Sequence, residues 1–425
     1  MRSMTAPAVV APSTAERRAR VAVAALFFTN GAIYANVIPR FPEIKAALGL
    51  SDTLYGLSIA AVPVGALLSG LAAGTFIRWL SSARLAAIGT VLLAVAMFVV
   101  GLAAAPWMFA ASLFVVGLLD SITDVAQNAH GLRVQRRYGR SIINSFHAIW
   151  SLGAVTGGFM AAAAIALRLP LSVHLLGTAV LFSATAIVAL RFCLPGHDEA
   201  VPDAAVPDGS IPDAAVPDVP AALSSVRHRA RISPRIVALM AGLALIAIAS
   251  TIVEDVGNSW ATLYLADSLA APAALAATGY IALIGFQFIG RLVGDRLVDR
   301  LGQRAVARAG GVLVFIGMAV ALAFPSIATT LLGFAAAGFG IATLVPATMS
   351  AADSIPGLRP GTGLTVVTWL MRLGFLLSPL IIGVVSDATD LRVALLIVPI
   401  AGVIIIVLAG VLKRRVTPDG TPNPS

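Results

Sequence analysis

Four carboxylates stand inside long apolar runs of this sequence: Asp120, Asp124, Glu254 and Asp255. The other acids, out of twenty Asp and Glu, fall in polar stretches or at the edges of those runs. Asp120, Asp124 and Asn128 recur at i, i+4 and i+8, a spacing that puts all three on one helical face. Gln127 extends this polar stripe. Two carboxyls one turn apart, about 6 Å along the axis, repel when both are ionised. Such a face can take up and release a proton or bind a solute. The alternative is a structural pair held by Asn or Arg groups nearby.

Arg372 lies within the apolar run "TVVTWLMRLGFLLSP". Trp369 precedes it by three residues, close enough to stack on a guanidinium or a ligand. Arg372 can hold an anionic solute, form a bridge that a proton breaks, or sit in a fixed salt bridge with Glu254, Asp255 or a fourth-helix acid. Glu254, Asp255 and Asn258 form a second polar group, with Gly257 and Trp260 beside them. They line an entry path or simply a wet helix end. Asn30 and Tyr34 add polar groups to the first apolar run, Trp150 to the fifth and Gln287 to the eighth. Trp150 and Gln287 suit a hydroxylated solute, as stacking surface and amide, and serve equally as packing. His130 and His147 flank a basic stretch, where helix-end hydrogen bonding is the plainer role.

The elements that must carry these groups follow from composition. The chain has 425 residues, 59% hydrophobic and only 12% charged. Soluble domains carry about 25% charged residues. With a mean hydropathy of +0.94, this excludes a water-soluble enzyme and a disordered scaffold. A single cysteine, Cys193, excludes an intrachain disulfide or a multi-cysteine metal site. The net charge of +9 resides in short Arg clusters between apolar runs rather than in a basic domain, so no nucleic-acid partner is expected.

Twelve apolar segments are expected at 20–40, 53–77, 84–104, 107–131, 142–166, 172–194, 235–263, 275–297, 305–324, 328–352, 362–386 and 391–412. Each is long enough to cross a bilayer, and a backbone in lipid satisfies its own hydrogen bonds only as a helix or closed barrel. Between the sixth and seventh lies "VPDAAVPDGSIPDAAVPDVP", too rich in Pro and Asp to pack a core. The expected organisation is a tail at 1–19, a six-helix bundle at 20–194, a linker at 195–234, a second six-helix bundle at 235–412 and a tail at 413–425. A shift of 220 residues superposes Gly65 on Gly285, Gly70 on Gly290, Gly74 on Gly294 and Arg84 on Arg304, as a duplicated unit would. Nearly all basic residues fall on the side of the tails and linker; the other side has only Arg40, Lys45, Arg168 and Arg392. That bias predicts both termini in the cytoplasm and a multi-pass protein of the cytoplasmic (inner) membrane.

The stretch "GRLVGDRLVDRLGQR", Gly290 to Arg304, resembles the loop signature of the major facilitator superfamily. "NVIPRFPEIKAALGLSDTLYGLSIA", "DSITDVAQNAHGLRVQRRYGRSIINSFHAIWSLGAVTGG" and "EDVGNSWATLYL" are similar to its MosC-like branch, distantly related to fucose permeases. The resemblance spans nearly the whole chain outside tails and linker. It implies an all-α membrane protein with the major facilitator fold, two six-helix bundles around a central cavity and alternating access. It also implies a gate built on Asp299, Arg300, Gly302 and Arg304. The first half departs from the pattern, with Gly74 and Thr75 where the matching aspartate is expected. "GAVTGG", Gly153 to Gly158, lacks the proline of the antiporter signature. Fucose–proton symporters carry acids on helices 1 and 4; here only the helix 4 acids correspond.

These readings converge on a secondary transporter, not an enzyme, that is expected to move a small polar, sugar-like solute with protons as coupling ion. No Walker sequence, zinc spacing or catalytic triad occurs, and neither cofactor nor metal is expected. The expected partners are the solute, the proton and the lipid bilayer, and the expected state is a monomer. Two alternatives stay open: a drug–proton antiporter exporting amphipathic compounds, and a membrane sensor or partner-binding protein without transport.

Overall fold

The computed structural model of the chain describes residues 12–69, 72–139, 142–196, 233–356, 358 and 361–412. The linker expected at 195–234 and the tail at 413–425 fall almost wholly outside the described residues, as does most of the tail at 1–19.

Twelve apolar helices long enough to span a bilayer run in chain order: α1 (Thr14–Leu48), α2 (Asp52–Ser69), α3 (Ser82–Val100), α4 (Pro106–Tyr138), α5 (Ser145–Ala166), α6 (Leu171–Leu190), α7 (Pro234–Ser259), α8 (Ala273–Leu301), α9 (Gln303–Ala323), α10 (Ile327–Asp353), α11 (Thr362–Ala388) and α12 (Leu391–Val411). No strand occurs among the described residues. The first helix starts six residues before the expected boundary at 20. Ser13 and Glu16 form a reciprocal cap there, with bonds of 3.2 and 2.7 Å, so local chemistry rather than hydropathy sets its start. It also runs past 40. Pro39 lacks an N–H, the helix tightens to a 3₁₀ turn over Ile38–Arg40, and it resumes at Phe41 until Gly49 ends it at φ +60°.

Within the first half α1 packs on α5, α2 on α4 and α3 on α6; within the second α7 packs on α11, α8 on α10 and α9 on α12. The same pairing occurs in both halves, in agreement with the 220-residue repeat. The α1–α5 pair owes its closeness to glycine: a Cβ at Gly31 would strike the Trp150 carbonyl, and one at Gly153 the Phe28 carbonyl. The glycines of "GAVTGG" therefore let two backbones touch, and that contact places Trp150 beside Asn30.

The even number of spans brings both described chain ends to one side, the basic end. There Arg20 donates to the Tyr138 hydroxyl, Arg133 to the Pro195 carbonyl and Arg304 to the Leu412 carbonyl. The opposite side is called the far end below. The halves meet along two seams, α2 with α11 and α5 with α8.

Candidate functional site

Asp120 sits near the middle of α4, half-buried against α1. The Asn30 amide, 5% exposed, donates to its Oδ1 at 3.1 Å and accepts from the Trp150 indole at 2.7 Å. The indole–amide–carboxylate chain crosses three helices and fixes which way Asn30 points. One turn further along α4 the Asp124 side chain is exposed, and its bonding is local: Asn128 donates to its Oδ1 and to its backbone carbonyl, each at 2.9 Å. The Asp120–Asp124–Asn128 stripe is thus a real surface. Gln127 does not extend it. Its amide donates to the Leu26 carbonyl and the Thr90 hydroxyl, each at 3.2 Å, and the side chain is buried between α1, α3 and α4. A step of one residue turns the helix by about 100°, enough to carry Gln127 from the open face into the packing.

Arg372 approaches this stripe from α11. It is half-buried and makes no hydrogen bond or ion pair within the described residues, so the fixed bridge to Glu254 or Asp255 is not formed. The acid whose charge it acts on is Asp124, across the gap between the halves and beyond ion-pair contact. Trp369 is 58% exposed on the basic-end side of Arg372. Asp255 is buried at 6% exposure; Ser259 donates to its Oδ1 at 3.2 Å, while Oδ2 lies beside the Ser378 hydroxyl without a hydrogen bond. Tyr34 is the ring between the halves, within electrostatic reach of Asp120 on one side and Asp255 on the other. Glu254 neighbours Tyr280, and Asn258 is half-buried. Gln287 is buried at 2% exposure, its Oε1 without a hydrogen-bond partner among the described residues.

Sequence reading missed two groups. Arg291 lies inside α8 and donates to the Ser151 hydroxyl of α5 at 3.2 Å, near His147. The second group closes the far end. Ser51 caps the Leu54 N–H of α2 at 3.2 Å, and Asp387, from α11 in the other half, accepts from the Asp52 and Thr53 N–H groups at 2.9 Å each. The free amides at the start of α2 are therefore satisfied partly across the seam. Ser386 donates to the Asp52 carboxylate, Lys45 pairs with Asp52 at 2.8 Å and Asp267 at 3.4 Å, and the Tyr55 hydroxyl donates to the Ser259 carbonyl at 2.7 Å. A "Ser-Asp" pair opening an apolar run was the sequence signal for a helix start; nothing signalled its partner.

The loop signature is placed at the basic end. Gly302 adopts φ +83° and ψ 153°, a turn only glycine enters readily, and separates α8 from α9. Arg304 donates to the Gly410 and Leu412 carbonyls, tying α9 to the end of α12. Asp299 and Arg300 are exposed and make no hydrogen bond or ion pair within the described residues; the gate contacts implied for them are not made in this conformation.

Twelve spans, matched pairing in both halves and this signature are shared with known proteins. A model described as Major Facilitator Superfamily matches residues 243–425. That match lies in the second half of the chain. The membrane protein MosC of Rhizobium meliloti is 27% identical over 403 residues, covering 95% of this chain and 92% of MosC. Two solved structures share the fold: the nucleoside transporter NupG as a D323A mutant (TM-score 0.67, 14% identity, 93% of this chain and 100% of that one) and a D-xylose–proton symporter (TM-score 0.62, 13% identity, 93% and 96%). Hydrogen bonds and ion pairs join the halves at the far end, whereas at the basic end Asp299, Arg300 and Trp369 are exposed.

Proposed function

We propose that this protein carries a small polar, sugar-like solute across the cytoplasmic membrane by proton-coupled alternating access, as a monomer with both termini in the cytoplasm. The bundles at 20–194 and 235–412 rock against each other, and the linker at 195–234 tethers them. On that orientation the basic end faces the cytoplasm.

One observation carries the reading. Asp120 is held by Asn30, which Trp150 in turn holds, Asp124 is exposed one turn along α4, and Arg372 of the other half acts on the Asp124 charge without pairing. A carboxylate at such depth is costly unless it meets water, a proton or a ligand. A proton on the stripe changes how strongly it attracts Arg372, and hence the cost of bringing the halves together. Trp150, Tyr34, Asn128, Asn258 and Gln287 offer ring faces and amides for a hydroxylated solute. NupG, a nucleoside transporter, and the D-xylose–proton symporter share the fold.

The test uses protein in liposomes with an imposed pH gradient. Asp120→Asn and Asp124→Asn should each abolish gradient-driven accumulation while solute exchange persists. Normal accumulation by both variants at all pH values would remove the α4 acids from coupling. Everted vesicles set direction: alkalinisation of an acid lumen on adding solute would mean export.

A further inference from the structure

A cavity of about 580 Å³ lies away from the transport site, on the outer surface of the second half between α9 and α12. Phe315, Ala319 and Leu322 line it from α9, at helical spacing along one face. Val393, Leu396, Ile400 and Val403 line it from α12 in the same way. Glycine sets the geometry. The two helices are closest at Gly402, where an added Cβ would sit 2.7 Å from the Phe315 backbone nitrogen. From that crossing to the far end the groove opens between them. Its walls are not a protein core: Phe315, Val393, Leu396, Ile400 and Val403 are 40–56% exposed.

The groove has a depth and a mouth. From Val403 to Arg392 is eleven residues, roughly 16 Å of helix, or about half of a ~30 Å hydrocarbon core. That is the depth of one leaflet. At the mouth stands Arg392, where α12 begins. Its Nε donates to the Leu322 carbonyl at 2.6 Å and its Nη2 to the Ala323 carbonyl at 3.3 Å. The guanidinium is anchored across the groove while its third nitrogen, Nη1, stays available. Asp390, also at the mouth, is engaged elsewhere: its Oδ1 caps the Val393 N–H at 2.8 Å. Of the other far-end cations, Arg40 is paired with Glu43 and Lys45 with Asp52 and Asp267, while Arg168 is exposed, off the groove lining, and like Arg392 makes no ion pair within the described residues. Arg392 has no ion pair within the described residues.

We propose that this groove is a binding site for one anionic phospholipid, with an acyl chain along the α9–α12 face and its phosphate on Arg392. An apolar slot one leaflet deep, capped by an anchored cation at headgroup level, fits that molecule. The mouth carries one cation and one anion, so discrimination against a zwitterionic lipid rests on the free Nη1 of Arg392, the Asp390 carboxylate being committed to the Val393 N–H. The site is independent of the solute and of proton coupling.

Native mass spectrometry of the full chain, released from nanodiscs of phosphatidylcholine with a minority of phosphatidylglycerol, tests it. Wild type should retain one phosphatidylglycerol in preference to phosphatidylcholine. Arg392→Gln should lower that preference about fivefold, the effect of one cation near an anionic headgroup. Ile400→Trp, which fills the slot and leaves Arg392 in place, should lose the retained lipid of either kind. The proposal is overturned if wild type retains both lipids equally, if Arg392→Gln keeps the wild-type preference, or if the protein emerges as a dimer with the lipid excluded. Loss of lipid selectivity with solute transport intact would separate this site from the transport site.

Discussion

The far and basic ends of the molecule are built from the same two halves and behave oppositely. At the far end α2 and α11 are in backbone contact: a Cβ at Gly56 would strike the Pro379 carbonyl, and one at Gly383 would approach the Asp52 carbonyl. Polar closure is added by Asp387 on the α2 amides, by Ser386 on Asp52 and by Lys45 between Asp52 and Asp267. At the basic end Asp299 and Arg300 are exposed and unpaired within the described residues, and Trp369 stands open. The contrast shows how a seam can be tight and still reversible. Its groups are backbone amides, hydroxyls and carboxylates that water can satisfy once the halves separate, so opening leaves no buried polar group stranded.

The comparison can be broken from the far side. A cysteine at Asn128 in a Cys193→Ala background reports whether the basic end is open, through its rate of alkylation. The largest effect is expected from Gly56→Leu. It has no room against Pro379 and should disfavour far-end closure by about 3 kcal/mol, roughly 150-fold, with labelling at 128 falling accordingly. Unchanged labelling would show that the α2–α11 contact does not hold the far end shut. Asp387→Ala should come next. It strips two amides of their shared cap, costing about 2 kcal/mol or roughly 30-fold in the same equilibrium. Asp387→Asn, which keeps one acceptor oxygen, should fall between the variant and wild type. Lys45→Gln should be weakest, at most about 1 kcal/mol or roughly fivefold, and its effect should shrink in high salt because the pair lies near the surface. A larger effect for Lys45→Gln than for Asp387→Ala would reverse the ranking and make ion pairing, rather than helix capping, the closure.

Much of this was legible in the residues. Apolar run lengths located twelve helices, and the i, i+4, i+8 pattern located a true polar face on α4. What failed did so for identifiable reasons. Gln127 shares a helix with that face but points into packing, a matter of one rotational step. Asp52 and Asp387 looked like wet span ends, because a carboxylate beside solvent and one beside a facing helix terminus have the same local sequence. Arg291 falls within the eighth apolar run, and nothing local to it signals its Ser151 partner on α5.

Sequence alone determined the solvent this chain folds in, its helical form and the identity of the costly groups it carries inside, since each depends on local composition and on the need of a backbone in lipid to satisfy itself. Tertiary structure decided partnership: Asn30 between Asp120 and Trp150, Arg372 opposite Asp124, and Asp387 on a helix start 335 residues away from it. Those pairings depend on where backbones can touch and on which way the two halves are tilted, and neither is encoded in the neighbourhood of any one residue.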